Sequence, residues 1–575
     1  MDEFKKKLAA NLHDFTCQEL TELADEIRQF LILQISKTGG HIGANLGTIE
    51  LTLALHSVFN SPQEPLLFDT GHTGYTHKLL TDRIHLFDSL NSYGGMNRFL
   101  TPKESEHDLI EASHAGTALS LGLGLAKARY LEGNEAPVVS IIGDAALAEG
   151  SSMEALNHAA VENTNLIIAL NDNGYAISPG FGAFFEAFKD QPARAKSIFE
   201  GMGYQYLGPV DGHNIDETRK LLKLAKNSSK TPIVHLKTIK GKGWYPANNN
   251  PYRHHYSPPY DTTTGDPVGI GVQKNNTYPD IVGRLVQKTM EENERIVCLT
   301  PSTLYATGLS SVFEKFPSRC IDPGMQEQHT LTLAVGLALS GMLPIVAYQS
   351  TFLQRAFHQL IHDVCFTNLP MIILSTRSGF SGYDNPTHHG IYDISYMRAI
   401  PNLTIYYPKD KNELETMFNN IVADPRGPVV IMMPYGSVED FGAVSDENIL
   451  KPEEVFVGTD IVFITVGNKF KAAKEAALSL GAGLVNIRQL KPLPEVELVE
   501  VVQKYKKVVT IEEGILDGGL GSAVAAMLFD NKLKVSLLRL GLPSAFIEPG
   551  SNEELCKLYG LDSNGILESI ESFWP

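Results

Sequence analysis

The chain has 575 residues, which predicts about three or four domains. Its formal net charge is −18, from 48 basic and 66 acidic residues, and this argues against nucleic acid or an anionic membrane as a partner. The five cysteines include no CxxC pair, which fits a reducing compartment without a disulfide framework or a zinc site. The charged amino terminus lacks the apolar core of a signal peptide, so we expect a cytoplasmic protein.

Strand-like apolar runs alternate with helical patterns in three blocks along the chain. Connections rich in polar residues, Gly and Pro at 246–280 and 436–457 separate the blocks. This order predicts an α/β fold of three consecutive doubly wound domains with mostly parallel sheets, at 1–265, 281–435 and 450–575. The strand candidates in the chain are 138–142, 166–170, 345–348, 371–374, 429–432, 461–466, 483–487, 508–511 and 535–538.

Two oxygen-bearing clusters in the first block each follow a strand candidate. Gly143-Asp144-Ala145 comes after the run 138–142, and Asn171-Asp172-Asn173 comes after the run 166–170. Both clusters would lie at the carboxyl ends of parallel strands, where α/β sheets bind ligands. Carboxylate and amide oxygens suit magnesium, which often shares its ligand sphere with phosphates. The pattern therefore suggests a metal-bridged diphosphate, with capping of the following helices as the alternative.

Histidines of the first block concentrate in loops dense in glycine. Such imidazoles can bind phosphate or move protons near neutral pH, although ordering the loop is the commoner role of any single one. Lys240 lies among glycines after the apolar run 232–236 and could reach a diphosphate, but it lacks the spacing of a Walker loop. The histidines in these loops and in the connection that follows are His41, His72, His77, His114, His254 and His255.

In the second block, a polar segment with Glu327 precedes a helix predicted at 330–339. A carboxylate at this position is ordinarily a helix cap. The spacing of Gly143-Asp144-Ala145 and Asn171-Asp172-Asn173 resembles the thiamine-diphosphate motif, and that coenzyme needs a glutamate to hydrogen-bond its aminopyrimidine. Phe352 could then stack on that ring, although packing in the core is the alternative.

Together these segments resemble the 1-deoxy-D-xylulose-5-phosphate synthases, thiamine-diphosphate enzymes of the transketolase superfamily. The similarity covers nearly the whole chain, and Ala145 departs from the second glycine of the usual Gly-Asp-Gly motif. The matching segments include GGHIGANLGTIELTLALH, FDTGHTGYTHKLLTDR, NDNGYAIS, TIKGKGW, STFLQRAFHQLIHDV, THHGIYDISYMR and GLPSAFIEPGS.

The resemblance implies a transketolase-like fold and a transferase that decarboxylates pyruvate and joins its two-carbon unit to glyceraldehyde 3-phosphate. The product would feed isoprenoid, thiamine and pyridoxal synthesis. The implied cofactors are thiamine diphosphate and Mg²⁺, the implied partners are small-molecule substrates, and the implied assembly is a homodimer.

The resemblance also implies a role for each matched residue. Magnesium would be held by Asp144, Asn173 and the Tyr175 carbonyl. The coenzyme would be contacted by His41, His72, His114, Asp144, Ala145, Asn173, Tyr175, Ile177, Lys240, Glu327 and Phe352. Glu327 would activate the coenzyme, with His41, His72 and His255 as acid–base or orienting groups. The substrate channel would be lined by Arg355, Arg377, Asp384 and His388, with Arg377 on the acceptor phosphate.

The chain departs from the family pattern in three places, two of which fall at the acceptor end. Tyr435 stands where the family has an Arg that clamps the acceptor phosphate, and Gln349 stands where it has a channel Tyr. The segment 178–208 is much shorter than usual. Losing a charge-assisted contact of this kind costs roughly 1.5–3 kcal/mol. The alternatives are therefore a paralogue that uses another aldehyde or sugar acceptor, and a non-catalytic coenzyme-binding scaffold. Glu327, Asp144 and Asn173 argue against the scaffold.

Overall fold

The structure is a computed structural model that describes residues 2–162, 164–190, 192–269, 276–444, 449 and 451–575. The chain forms two compact units, Met1–Gly271 with Pro323–Gln326, and Val272–Asp322 with Glu327–Pro575. Parts of both predicted connections, residues 270–275, 445–448 and 450, lie outside the described residues.

Within these residues, seventeen strands form three sheets. Most neighbouring strands are parallel, which confirms the predicted fold class. The strands are β1 (Leu66–Phe68), β2 (Val138–Gly143), β3 (Leu166–Asp172), β4 (Gln205–Asp211), β5 (Pro232–Lys237), β6 (Ile296–Leu299), β7 (Cys320–Ile321), β8 (Leu343–Gln349), β9 (Met371–Ser378), β10 (Thr404–Tyr406), β11 (Pro428–Pro434), β12 (Glu453–Phe456), β13 (Ile461–Thr465), β14 (Gly483–Asn486), β15 (Gln489–Lys491), β16 (Lys507–Ile515) and β17 (Ser536–Leu542).

The first unit contains a parallel sheet in the order β1-β2-β3-β5-β4. Its central strands β2 and β3 are buried over nearly their whole length, as the continuous apolar runs predict. Gly143 pairs with Asn171, so the carboxyl ends of these two strands lie side by side. The helices of this unit are Asp2–Leu8, Cys17–Thr38, Ile42–Gly47, Ile49–His56, Tyr75–Leu80, Ala118–Leu131, Asp144–Leu147, Gly150–Ala159, Ala183–Asp190, Pro192–Met202, Ile215–Lys226 and Tyr245–Asn249.

The second unit contains two sheets, in the orders β15-β10-β11-β9-β8-β6-β7 and β12-β14-β13-β16-β17. Each sheet has one antiparallel edge strand: β15 pairs with β10, and β12 pairs with β14. The helices of this unit are Tyr278–Glu292, Ser310–Lys315, Glu327–Leu339, Ser350–Leu353, Phe357–Gln359, Asp393–Arg398, Lys411–Ala423, Phe470–Leu480, Glu495–Val502, Leu520–Asp530, Asn552–Leu558 and Ser563–Phe573, with a π-helix at Leu360–Cys365.

Two sequence-based boundaries in this unit were wrong. The helix predicted at 330–339 begins at Glu327, because its first turn is polar and carries no apolar periodicity. The connection predicted at 436–457 contains strand β12, a half-buried edge strand without a continuous apolar run. The first correction matters for function, because it places Glu327 on a helix.

Candidate active site

The predicted metal ligands come together at the carboxyl edge of the first sheet. Asp144 begins a helix directly after β2, and Asn173 follows β3. The Gly174 backbone N–H donates to Asp144 Oδ2 at 3.0 Å, and the Tyr175 N–H donates to Asn173 Oδ1 at 3.0 Å. Gly174 has a φ of +76°, a conformation that favours glycine and turns the chain back towards Asp144.

The surroundings of Asp144 fit a bound cation. Burial, together with the nearby Asp172 carboxylate, raises the pKa of Asp144 to about 7. Its Oδ1 atom is buried and has no hydrogen-bond partner among the described residues. Among all the residues that the structure describes, no three His, Cys, Asp or Glu side chains are grouped as a metal site. A metal here would therefore rely on one carboxylate with amide and carbonyl oxygens, the ligand set that suits magnesium.

Lys240 is the cationic side chain near Asp144. Its Nζ donates to the Ala176 carbonyl at 2.7 Å and lies 3.2 Å from His255 Nδ1. Burial lowers the pKa of Lys240 to about 7, although the Asp144 carboxylate opposes that shift. The hydrogen-bonding partners of the ammonium group are neutral, and an anionic diphosphate would stabilise its charge.

Three of the predicted histidines form one cluster. The ring centroids of His41, His72 and His255 lie 5.2–5.4 Å apart. An antiparallel bridge joins Gly40 to Ser257 and brings the loop of His255 against that of His41. Burial lowers the pKa of His72 to about 4 and that of His255 well below its usual value, so both imidazoles are neutral at pH 7.

Other residues at the cluster were not predicted. Phe99 and Tyr256 lie against His41, with ring centroids 5.5 and 5.4 Å away. The Asn45 side-chain amide donates to the carbonyls of His41 and His72. Only the position of Tyr256 beside His255 in the sequence could have indicated one of them.

The remaining predicted residues of the first unit are more dispersed. His77 is fully buried between His56 and Asp108, which indicates a structural role. His114 lies partly buried in the loop before the helix Ala118–Leu131, and Thr117 donates to its carbonyl. Ala145 lies in the first turn after β2, and Ile177 is half-buried in the tight turn after Tyr175.

A second group of predicted residues lies in the second unit, at the carboxyl ends of β8, β9 and β11. Glu327 is buried at the start of its helix, and the Tyr348 hydroxyl donates to its carbonyl at 2.9 Å. Arg355 Nη1 lies 4.0 Å from Glu327 Oε2. Phe352 follows β8, and its ring centroid lies 5.7 Å from that of His388.

Arg377 is the last residue but one of β9 and has a φ of +60°, a strained conformation for a residue other than glycine. Its Nη1 donates to Asp384 Oδ2 at 2.6 Å, and its Cζ lies 4.9 Å from the centroid of the Tyr435 ring. The Tyr435 ring therefore makes a cation–π contact with the Arg377 guanidinium. Gln349 is buried at the end of β8.

Comparisons with known proteins give family matches along most of the chain. A family model described as 1-deoxy-D-xylulose-5-phosphate synthase matches residues 4–197 and 185–238. The transketolase pyrimidine-binding domain matches 274–439, and the transketolase C-terminal domain matches 453–566. The two synthase matches overlap at residues 185–197.

Relatives match the chain from end to end. A 1-deoxy-D-xylulose-5-phosphate synthase of Syntrophomonas wolfei is 37% identical over 100% of this chain and 97% of its own length. One of Shouchella clausii is 38% identical over 98% and 97%. A solved transketolase of Campylobacter jejuni covers 97% of this chain and 100% of its own at 18% identity and a TM-score of 0.44. On the end-to-end identity with the synthases, this chain belongs to the 1-deoxy-D-xylulose-5-phosphate synthase family.

Proposed function

We propose that this chain is a thiamine-diphosphate- and magnesium-dependent 1-deoxy-D-xylulose-5-phosphate synthase. It decarboxylates pyruvate and joins the remaining two carbons to glyceraldehyde 3-phosphate. The observation that carries the proposal is geometric: Asp144 Oδ1 is buried without a hydrogen-bond partner among the described residues, and the buried Lys240 Nζ donates to the neutral Ala176 carbonyl. Bound magnesium would supply a cation for Asp144, and the diphosphate would supply an anion for Lys240.

The first unit would hold the charged end of the coenzyme. Asp144, Asn173 and the Tyr175 carbonyl would bind magnesium, and Lys240 would bind the diphosphate. His41, His114, Ala145 and Ile177 would complete the surroundings of the coenzyme. When bound, thiamine diphosphate supplies the electron sink for the loss of carbon dioxide from pyruvate.

Proton transfer would fall to Glu327 and to the histidine cluster. Glu327, buried and 4.0 Å from Arg355, would hydrogen-bond the aminopyrimidine, with Phe352 against that ring. Because the pKa values of His72 and His255 lie far below 7, these side chains would act as neutral imidazoles. A neutral imidazole can donate one hydrogen bond and accept another, which suits it to orient a substrate oxygen.

Arg377, with Arg355, Asp384 and His388, would bind the acceptor. An acceptor phosphate must compete with Asp384 and with the Tyr435 ring for the Arg377 guanidinium. That contact favours a second candidate, a synthase-like transferase whose acceptor is another aldehyde or sugar. The two candidates share the donor reaction and differ only in what Arg377 binds.

We also propose the domain roles and the assembly. Residues 1–265 would form the diphosphate domain, 281–435 the pyrimidine domain and 450–575 the carboxyl-terminal domain, in a cytoplasmic homodimer. In the described part of the chain, no helix has the length and apolar character needed to cross a membrane. A second copy would cover exposed apolar side chains near two helices of the second unit, which are Leu339, Phe357, Ile361 and Phe366.

Glu327→Gln tests the proposal directly. The wild-type chain should form deoxyxylulose phosphate from pyruvate and glyceraldehyde 3-phosphate only with coenzyme and magnesium, as measured by mass spectrometry. Glu327→Gln should lower the turnover by about 100-fold or more, the usual share of a positioned acid–base group. Coenzyme binding, measured by calorimetry, should persist, and the exposed control Glu132→Gln should be unaffected. A fully active Glu327→Gln variant would refute the assignment.

A further inference from the structure

A loop of the second unit, residues 379–390, carries two of the proposed substrate residues; we name it the acceptor loop. It follows Arg377 and contains Asp384 and His388. Two backbone hydrogen bonds between Gly379 and Gly390, of 3.0 and 2.7 Å, close its neck. The position of Asp384 relative to Arg377 therefore depends on what fixes this neck.

Glu513, on strand β16 of the third sheet, reaches the neck. The Phe380 backbone N–H donates to Glu513 Oε1 at 2.8 Å, and both residues are buried. Gly379 has a φ of +82°, and a Cβ added there would collide with the Glu513 carboxylate. The loop is thus shaped to receive this side chain.

A lysine balances the charge of Glu513. Lys469 Nζ lies 2.6 Å from Glu513 Oε2, and both side chains are buried. The Cys556 sulfur lies 2.8 Å from the same Nζ. The Glu513 carboxylate raises the pKa of Lys469 above its usual value although burial opposes it, so Lys469 keeps its positive charge at pH 7.

The tip of the acceptor loop also contacts the carboxyl-terminal segment 550–554. The Gly550 N–H donates to the Gly382 carbonyl at 3.3 Å, and the Tyr383 hydroxyl donates to Glu554 Oε2 at 2.5 Å. In the same region, the Asn552 amide donates to the Tyr435 carbonyl. The neck and the tip of the loop are therefore both held by the part of the chain that follows the second sheet.

We propose that Glu513, held by Lys469, is a positioning residue that fixes the acceptor loop for the second substrate. It touches neither substrate nor coenzyme and acts through Phe380 and the Gly379–Gly390 neck. The substrate part of the inference rests on the proposed function, but the ordering of the loop does not.

Glu513→Gln tests this role in the full-length chain, with two readouts. Amide hydrogen exchange of 379–390 should become faster, and the KM for glyceraldehyde 3-phosphate should rise about tenfold, the effect of losing one charge-assisted hydrogen bond. Coenzyme-dependent carbon dioxide release from pyruvate without acceptor should stay within about threefold, a difference below 1 kcal/mol. Tyr383→Phe, a conservative change at the tip, should move both readouts in the same direction by less.

Glu413→Gln is the matched control. Glu413 is a fully buried carboxylate of the same unit that accepts hydrogen bonds from Arg488 and Asn486. Its loss should lower stability and leave the exchange of 379–390 and the acceptor KM unchanged. Unchanged loop exchange in both Glu513→Gln and Tyr383→Phe, or an equal loss of donor and acceptor reactions, would overturn the inference. If the wild type used no acceptor at all, the proposed function would fail, and the exchange data would still decide the role of Glu513 in the loop.

Discussion

Burial of ionisable side chains governs several properties of the first unit. His254 is 2% exposed, and its Nδ1 lies 2.9 Å from the Ser257 hydroxyl. Burial, with a smaller contribution from Arg253, lowers its pKa from 6.5 to about 4. The folded chain therefore holds His254 neutral in a pH range where the unfolded chain protonates it.

The sign of the resulting pH dependence follows from proton binding. Between pH 6.5 and 4 the unfolded state binds the extra proton, so the free energy of unfolding decreases as the pH falls. We predict that His254 accounts for a loss of about 2 kcal/mol between pH 7.5 and 5. Urea unfolding of His254→Asn should show a correspondingly smaller loss than the wild type, whereas the exposed control His158→Asn should match the wild type. Equal losses in His254→Asn and the wild type would contradict this.

Tyr435 offers a test of the acceptor end. Replacing it with Arg would add a second cation beside Arg377 and remove the ring that stacks on Arg377. We predict that Tyr435→Arg lowers the KM for glyceraldehyde 3-phosphate by about tenfold or more, because a charged hydrogen bond to phosphate is worth roughly 1.5–3 kcal/mol. Steady-state kinetics over a series of acceptor concentrations measures this.

Tyr435→Phe is the control, since it keeps the ring over Arg377 and should leave the KM near the wild-type value. An unchanged KM in Tyr435→Arg would place the acceptor phosphate away from residue 435. A fall in KM for an unphosphorylated aldehyde as well would exclude charge as the cause.

At the residue scale, the sequence predicts which side chains lie close together when they directly follow neighbouring strands. It does not predict contacts between loops that are distant in the sequence. Asp144 and Asn173 were predicted to lie close together because parallel strands end at one edge, and their loops are hydrogen-bonded. Phe99 and Tyr256 beside His41 had no such signal, since three separate loops bring them together. The individual roles of these residues stay predictions.

At the scale of elements, the segment 178–208 contains two helices, Ala183–Asp190 and Pro192–Met202. Phe188 and Phe199 are fully buried with stacked rings 6.1 Å apart, and Tyr206 of β4 stacks on Phe199 at 5.8 Å. The segment is thus anchored in the core of the first sheet.

We predict that Phe199→Ala lowers the free energy of unfolding by about 3–5 kcal/mol, as truncation of a buried Phe usually does. Chemical denaturation monitored by circular dichroism gives this value. Val161→Ala, at an exposed position, should change it by less than about 0.5 kcal/mol. If Phe199→Ala were as stable as the wild type, the aromatic stack would not anchor the segment.

Long buried strands such as β2, β3 and β8 were predicted from continuous apolar runs. The short strands β1, β12 and β15 were not, because three or four residues at a sheet edge carry no periodic signal. The first turn of the Glu327–Leu339 helix was also missed, since its polar residues Glu327, Gln328 and His329 look like a loop.

At the scale of the whole molecule, the three sheets were predicted from the order of strands and helices. One strand pairing that links two of these sheets was not predicted. Strand β15 follows a strand of the third sheet and pairs antiparallel with β10 in the second. Pairing between segments more than eighty residues apart has no local sequence signature. It joins the second and third sheets within one compact unit.

The proposed homodimer can be tested at its apolar surface. Phe366 is 83% exposed and Leu339 is 70% exposed, and a contiguous apolar patch formed by such side chains would mark an interface. We predict that Phe366→Asp with Leu339→Asp converts a dimer into a monomer, as measured by sedimentation velocity. Val161→Asp, at another exposed apolar position, should leave the dimer intact. A wild-type chain that sediments as a monomer would refute the proposal.

Carbon dioxide release from labelled pyruvate, with thiamine diphosphate and magnesium, tests the central claim most directly when it is run with and without glyceraldehyde 3-phosphate. The account predicts release that depends on both cofactors and is strongly stimulated by the aldehyde, with deoxyxylulose phosphate as the product. Release without stimulation would retain the donor reaction and direct the search to other acceptors. Absence of release under all conditions would contradict the assignment of pyruvate and of the coenzyme chemistry.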